Sequence, residues 1–233
     1  MRVLAIVHQA DAGPGVFTAA VAGAGHQLEE WLLPEAPEPP ADPFSYDAVL
    51  TLGGAMNADQ RNRHPWLAEE DELLRELIER GKPLLGLCLG GQLVAGAASA
   101  AVGRAPRPEI GWHRVELTDE GRRDPLLAPL APSFEALQWH GYRFALPAGA
   151  VALAESEVCL QGARVGERAW ALQFHPEVSA ADAAHWIEDY RSDEDAVRIG
   201  IDPVALAAET KAKIGAFNQL GRELCGRWLA QAG

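Results

Sequence analysis

Lys82-Pro83-Leu84-Leu85-Gly86-Leu87-Cys88-Leu89-Gly90-Gly91-Gln92 reads as a buried strand that runs into a tight turn and then a helix. Pro83 to Leu87 has the length and apolar character of a fully covered strand, and Leu93 to Ala98 continues as a short apolar helix. Gly86 and Gly90 stand two residues to either side of Cys88. A nucleophile elbow uses that spacing, because its strained central residue must stand clear of the backbone and side chains at the flanking positions would collide. A cysteine at a helix N-terminus also gains thiolate character from unpaired N–H groups and the helix dipole, and the same N–H groups can receive an oxyanion. The competing reading of Cys88 is a small buried core residue, the usual state of a free cysteine. The paired glycines argue against it.

Outward from this stretch, apolar runs alternate with helix-period segments, the mark of a parallel sheet with crossover helices. Val3 to Val7 reads as the first strand, Val16 to Ala24 as a helix after Gly13-Pro14-Gly15, His26 to Leu33 as a second strand and Ala48 to Leu52 as a third. The proline-rich Pro34 to Pro43 is a surface connection. From Pro65 to Arg80 the residues Trp66, Leu67, Leu73, Leu74, Leu77 and Ile78 fall at helical spacing, with Gly81 placed as a C-terminal cap. Between about residues 103 and 170 short alternating segments such as Trp112 to Leu117, Val151 to Glu155 and Cys159 to Val165 predict antiparallel strands added to the parallel core. The last 56 residues, after Glu177, are helix-like, with Asp202-Pro203 as cap and first turn. Leu206, Ile214, Phe217, Leu220, Leu224 and Trp228 form their buried stripe. The expected organisation is one domain over residues 1–190 and a helical extension over 191–233 packed on it.

Trp170 to Phe174 reads as a strand that delivers His175-Pro176-Glu177 at its end, where proline stops the strand. A cysteine nucleophile needs a base to take its proton and a third group to hold the imidazole, and His175 with Glu177 supplies both. Seven histidines are present, and His26, His64 and His185 have no comparable carboxylate partner nearby in sequence. His113 and His140 are not separated by context. Gly53-Gly54 closes the third strand at the edge of the sheet where α/β proteins place ligands, so its N–H groups are candidates for an oxyanion hole.

A formal net charge of −13 would repel a phosphate backbone or an anionic membrane, which leaves a small molecule or a protein as partner. The three cysteines, Cys88, Cys159 and Cys225, form no zinc-type pattern and suit a reducing cytoplasm, so neither a metal nor another cofactor is expected. The apolar opening of the chain is too short for a signal peptide, and no run approaches the length of a membrane span.

With these residues in place, the chain resembles the triad-type class I glutamine amidotransferases, especially stand-alone proteins similar to the amidotransferase domain of GMP synthase. Gly53-Gly54, the elbow Gly86 to Gln92, and Gln173-Phe174-His175-Pro176-Glu177 carry the likeness, in the family's order, over roughly residues 48 to 178. The resemblance implies a flavodoxin-like three-layer sandwich whose sheet is mostly parallel, with added antiparallel strands and a helical C-terminal tail. It also implies that Cys88 attacks the glutamine amide carbon, that His175 shuttles the proton to departing ammonia, and that Glu177 orients His175. The N–H groups of Gly54 and Leu89 would form the oxyanion hole, beside Gly53. Gln92 would contact the amino-acid end of the substrate, and Trp139-His140-Gly141-Tyr142 resembles the family's substrate-side loop, with His140, Gly141 and Tyr142 as contacts. Ala55-Met56-Asn57 depart from the family, which often has proline after the glycine pair.

The tail is too short for the synthetase domain that follows the histidine motif in GMP synthase, so an ammonia acceptor is expected on a separate subunit. Two enzymatic readings follow: a glutaminase or amidotransferase subunit acting on glutamine, and a hydrolase acting on γ-glutamyl conjugates. A third reading is a non-catalytic interaction protein that keeps the fold. The sequence leaves monomer and homodimer equally open.

Overall fold

Residues 1–233 are described by a computed structural model and build one nine-stranded sheet in the order β2-β1-β3-β4-β9-β8-β7-β5-β6. The five strands β1 (Arg2–Val7), β2 (Gln27–Leu32), β3 (Ala48–Thr51), β4 (Leu84–Leu87) and β9 (Ala169–Leu172) run parallel. The other four, β8 (Leu160–Val165), β7 (Val151–Glu155), β5 (Val102–Leu117) and β6 (Ser133–Phe144), continue the sheet antiparallel. The flavodoxin-like sandwich with its antiparallel addition is therefore the observed architecture.

Strands β3, β4 and β9 are buried along their whole length. Both sheet faces are covered, which is why these strands are continuously apolar rather than alternating. On one face Val3, Ala5, Leu50, Leu85, Leu87 and Trp170 pack with α1 (Val16–Gly23), α4 (Ala180–Glu188) and α6 (Pro203–Ala230). On the other, Leu4, Ile6, Val49, Leu84 and Ala171 pack with α2 (Trp66–Glu79) and α3 (Leu89–Ala97). The short α5 (Glu194–Ile199) lies beyond the C-terminal strand ends and reaches β5 through the Arg104–Asp195 ion pair at 2.7 Å.

Helix α6 starts as its sequence predicts: Asp202 accepts from the N–H groups of Val204 and Ala205 at 3.0 and 3.1 Å, with Pro203 in the first turn. Of its expected stripe, Leu206, Ile214, Phe217, Leu224 and Trp228 are buried and Leu220 is partly so. Trp112 of β5 meets Phe217 edge-on at 5.2 Å and donates its indole N–H to Thr210 at 3.0 Å. No helix is long and apolar enough to cross a membrane.

Three local expectations are corrected. Helix α3 begins at Leu89, directly after the cysteine, rather than at Leu93. Gly90 and Gly91 are helical, and they are glycines because the helix lies against strand ends, not because the chain turns there. Strand β5 is far longer than Trp112 to Leu117, interrupted by a register shift between Arg104 and Glu109 where Pro106 and Pro108 cannot donate to a ladder. Trp139-His140-Gly141-Tyr142 is part of strand β6 rather than a loop, with Trp139 opposite Ile110 and Tyr142 opposite Arg104.

Candidate active site

Cys88 follows β4 and caps α3 with φ 52° and ψ −108°, one of two non-glycine residues with positive φ. Such a conformation is costly for a side-chain-bearing residue and persists only where its surroundings fix it. The flanking glycines do so. A Cβ on Gly86 would lie 2.4 Å from the Gly90 carbonyl oxygen, one on Gly90 2.1 Å from the Thr51 carbonyl oxygen, and one on Gly91 2.4 Å from the Leu172 carbonyl oxygen. The elbow is thus wedged between the ends of β3 and β9. The Cys88 N–H donates to the Leu172 carbonyl at 2.8 Å, and the Gly90 N–H to that of Leu52 at 2.9 Å.

His175 lies just past the end of β9, next to β4, so the topology brings it beside Cys88. Its Nδ1 is 2.8 Å from Glu177 Oε1, and both side chains are buried. Its Nε2 is buried without a hydrogen-bond partner. The Cys88 thiol meanwhile points at the Trp139 carbonyl, 3.8 Å away. Burial on its own would lower the His175 imidazole, but the facing charges of Cys88 and Glu177 outweigh it and push the group up to about 10. A protonated imidazole is the form of His175 this environment favours. The other two thiols are held protonated: burial and the Glu109 carboxylate push Cys159 up to about 12, and burial does the same to Cys225.

Gly53 separates the pair, since a Cβ there would sit 3.0 Å from His175 Cε1 and 3.7 Å from Cys88 Cβ. The Gly54 N–H has no acceptor within the protein. Leu89 opens α3, in the first turn, where N–H groups lack intrahelical carbonyls. A cavity of about 670 Å³ is lined by Gly54, Cys88, Leu89, Gln92, His140, Gly141, Tyr142 and His175, and so gathers most of the residues singled out from sequence. Gly53 and Glu177 lie behind its wall. Gln92 is buried and donates, at 3.3 Å each, to the Tyr142 carbonyl and to Gln173 Oε1. His140 Nδ1 lies 2.9 Å from the Tyr142 carbonyl, and the Tyr142 hydroxyl donates to Asp59 at 3.2 Å.

Several residues at this site escaped the sequence reading. Trp186 of α4 meets the His175 ring edge-on at 4.9 Å and lies 6.0 Å from Trp139 of the expected substrate-side stretch, and Asp193 accepts the Trp139 indole N–H at 2.9 Å. Asp195 packs onto Gly141, where a Cβ would lie 1.8 Å from its Oδ2. His8 is fully buried behind Gly53-Gly54. One signal could have found it: His8 ends β1 as His175 ends β9, at the same edge of the sheet.

One buried group of potential metal ligands exists, Glu109, His140 and Cys159, with donor atoms within 4.8 Å of one another. Glu109 Oε2 already accepts from Gln161 at 2.8 Å, Ser156 at 3.1 Å and the Cys159 thiol at 3.5 Å, with His140 Nε2 at 3.3 Å. Amide and hydroxyl donors aimed at that oxygen make it a hydrogen-bonded carboxylate. Its ionisation is opposed by burial, but His140, Ser156 and the His113 charge hold it below the usual range.

A doubly wound sheet with a cysteine elbow and a histidine–carboxylate pair on adjacent strand ends has the arrangement of a nucleophile with its base and orienting group. The chain belongs to the class-I glutamine amidotransferases, whose family model matches residues 25–190. It is 31% identical over 184 residues to the glutamine amidotransferase-like protein YfeJ of Salmonella typhimurium, covering 76% of each chain. It is 26% identical over 167 residues to a γ-glutamyl-L-1-hydroxyisopropylamide hydrolase of a Pseudomonas species, covering 64% of this chain and 56% of that one. The crystal structure of a glutamine amidotransferase from Thermotoga maritima superposes with a TM-score of 0.88 at 30% identity, over 98% of both chains.

Proposed function

We propose that this protein hydrolyses the side-chain amide of glutamine through a glutamyl thioester on Cys88. The observation that carries the reading is the strained Cys88 beside a buried His175 whose Nδ1 is 2.8 Å from Glu177. The Cys88 sulfur attacks the γ-carbonyl carbon, and the carbonyl oxygen takes the negative charge, stabilised by the N–H groups of Gly54 and Leu89. His175 gives its Nε2 proton to the leaving nitrogen as the C–N bond breaks, and ammonia departs. Water, deprotonated by His175, then cleaves the thioester and frees glutamate and the thiol. Glu177 holds Nδ1–H throughout, fixing the tautomer. Gln92 and the His140-Gly141-Tyr142 stretch face the amino-acid end of the substrate. An acceptor for the ammonia would lie outside these 233 residues.

A second reading has its own support: the cavity, at about 670 Å³, is far larger than glutamine needs. The same chemistry with a substituted nitrogen would release an amine from a γ-glutamyl conjugate, as the name of the Pseudomonas relative describes for that protein. Turnover of glutamine against a panel of γ-glutamyl amides and peptides decides between them. Cys88→Ala is expected to abolish turnover of whichever substrate is preferred. A wild type that forms no thioester with any γ-glutamyl compound would falsify both readings.

A further inference from the structure

Behind the glycine pair lies a second buried histidine–carboxylate pair that the chemistry above does not use. His8 Nε2 is 2.8 Å from Glu70 Oε2, both side chains wholly buried, and Glu70 Oε1 accepts from the Thr51 hydroxyl at 2.6 Å. His8 Nδ1 faces the carbonyl oxygens of Leu52 and Gly53 at 3.0 and 3.2 Å. Carbonyls only accept, so Nδ1 carries a proton. Nε2, facing a carboxylate, shares a second. Burial would lower this imidazole, but Glu70 and the two carbonyls more than offset it and raise it. Trp66, one helical turn before Glu70 on α2, stacks on the His8 ring at 5.4 Å and 8°.

The geometry points to His8 as a positioning residue for the oxyanion hole, acting through the Gly53–Gly54 peptide, a role that rests on the γ-glutamyl hydrolase chemistry proposed above. In a trans peptide the C=O and the following N–H point in opposite directions. A Gly53 carbonyl drawn to His8 therefore turns the Gly54 N–H away from His8, to the side where Cys88 and Leu89 line the cavity. The next peptide is tied as well, because the Ala55 N–H donates to Gln9 Oε1 at 3.0 Å. Gly54 leaves no room for a side chain between these groups: a Cβ there would meet His8 Cβ at 3.0 Å and the Met56 sulfur at 2.7 Å. Held on both flanks, one N–H is left free and aimed. Preorganised donors of this kind cost nothing to reorient as charge develops.

The test compares turnover with alkylation. His8→Phe keeps the ring and the stack on Trp66 but removes the donor, and is expected to lower kcat about 10- to 100-fold with little change in KM. Iodoacetamide alkylates Cys88 by displacement of iodide and builds no oxyanion, so its rate should stay at the wild-type value. His8→Asn, which can place an amide N–H near the Nδ1 position, should recover part of the loss. If the unpaired Glu70 prevents folding of His8→Phe, the double variant His8→Phe/Glu70→Gln removes that charge and should show the same kcat deficit. Turnover within about threefold of wild type in the donor-free variant overturns the proposal, as does a parallel fall in alkylation, which would mark general damage. A wild type inactive on every γ-glutamyl compound instead sinks the underlying chemistry, and the two failures are distinct.

Discussion

Cys88 and His175 stand at the ends of neighbouring strands, yet the segments that hold them are built differently. The elbow is local: its strain is absorbed within six residues, Gly86 to Gly91, against the ends of β3 and β9. The base segment is held from far along the chain. The Val16 N–H at the start of α1 donates to the Glu177 carbonyl at 2.8 Å, and a Cβ on Gly15 would lie 2.0 Å from that oxygen. From α6, Asn218 donates to the Val178 carbonyl at 2.7 Å, and Gly221 sits so close to Pro176 that a Cβ would be 2.0 Å from its carbonyl oxygen. The His175 N–H reaches the Leu137 carbonyl of β6 at 3.1 Å. A nucleophile in a strained turn can be specified by its own neighbours, whereas a base on an irregular segment needs anchors supplied by tertiary structure.

The sharpest way to break the local half is Gly90→Ala. The added methyl would overlap the Thr51 carbonyl, and neither β3 nor α3 can retreat because both are buried on all sides. We expect a loss of at least about 3 kcal/mol, at the severe end of overpacking, measured by urea denaturation. Activity should fall with it, since the elbow cannot keep Cys88 in place.

The link between the halves is electrostatic and is read by titrating His175. NMR of the imidazole should show a group protonated well above neutral pH in the wild type, and a much lower midpoint in Cys88→Ala, where one of the two raising charges is gone. The sign for stability follows. A histidine raised to about 10 in the fold stabilises fully below the unfolded value of about 6.5 and loses that contribution as pH climbs through about 10. In Cys88→Ala the loss should be smaller and complete at a lower pH. Identical His175 midpoints in the two proteins would show that the cysteine charge is not felt there.

This difference also explains what could be read from the sequence. The parallel strands, α2 and the elbow were legible because burial, helical period and turn chemistry all act within a few residues. So were Cys88 and the His175-Pro176-Glu177 segment, which end apolar strands. The long hairpin of β5 and β6 was not, because Pro106, Pro108 and Gly111 break its pattern and its pairing partner is some 30 residues away. Trp139 to Tyr142 looked like a loop for the same reason: polar and glycine residues in a strand that lines a cavity have no alternating signature. Trp186 and Asp193 reach the site only through the packing of α4 and α5, which no spacing in the chain announces, and His8 only through its place after a strand at the same sheet edge as His175.

The smallest effect is the most discriminating for the distant half, because three glycines of α6 give opposite predictions. Gly215 and Gly226 have nothing within 4 Å of where an added methyl would lie, so Gly215→Ala and Gly226→Ala should each stabilise by about 0.5–1 kcal/mol through helix propensity alone. Gly221→Ala gains the same propensity but must push α6 off Pro176, and should cost about 1–3 kcal/mol net. Because α6 can slide outward as a unit, more of the protein should survive than in Gly90→Ala. The displaced Pro176 carries His175 with it, so kcat should fall more than the stability change alone predicts. Equal stabilisation by all three substitutions would show that α6 does not anchor the base, and would leave α1 and β6 as its supports.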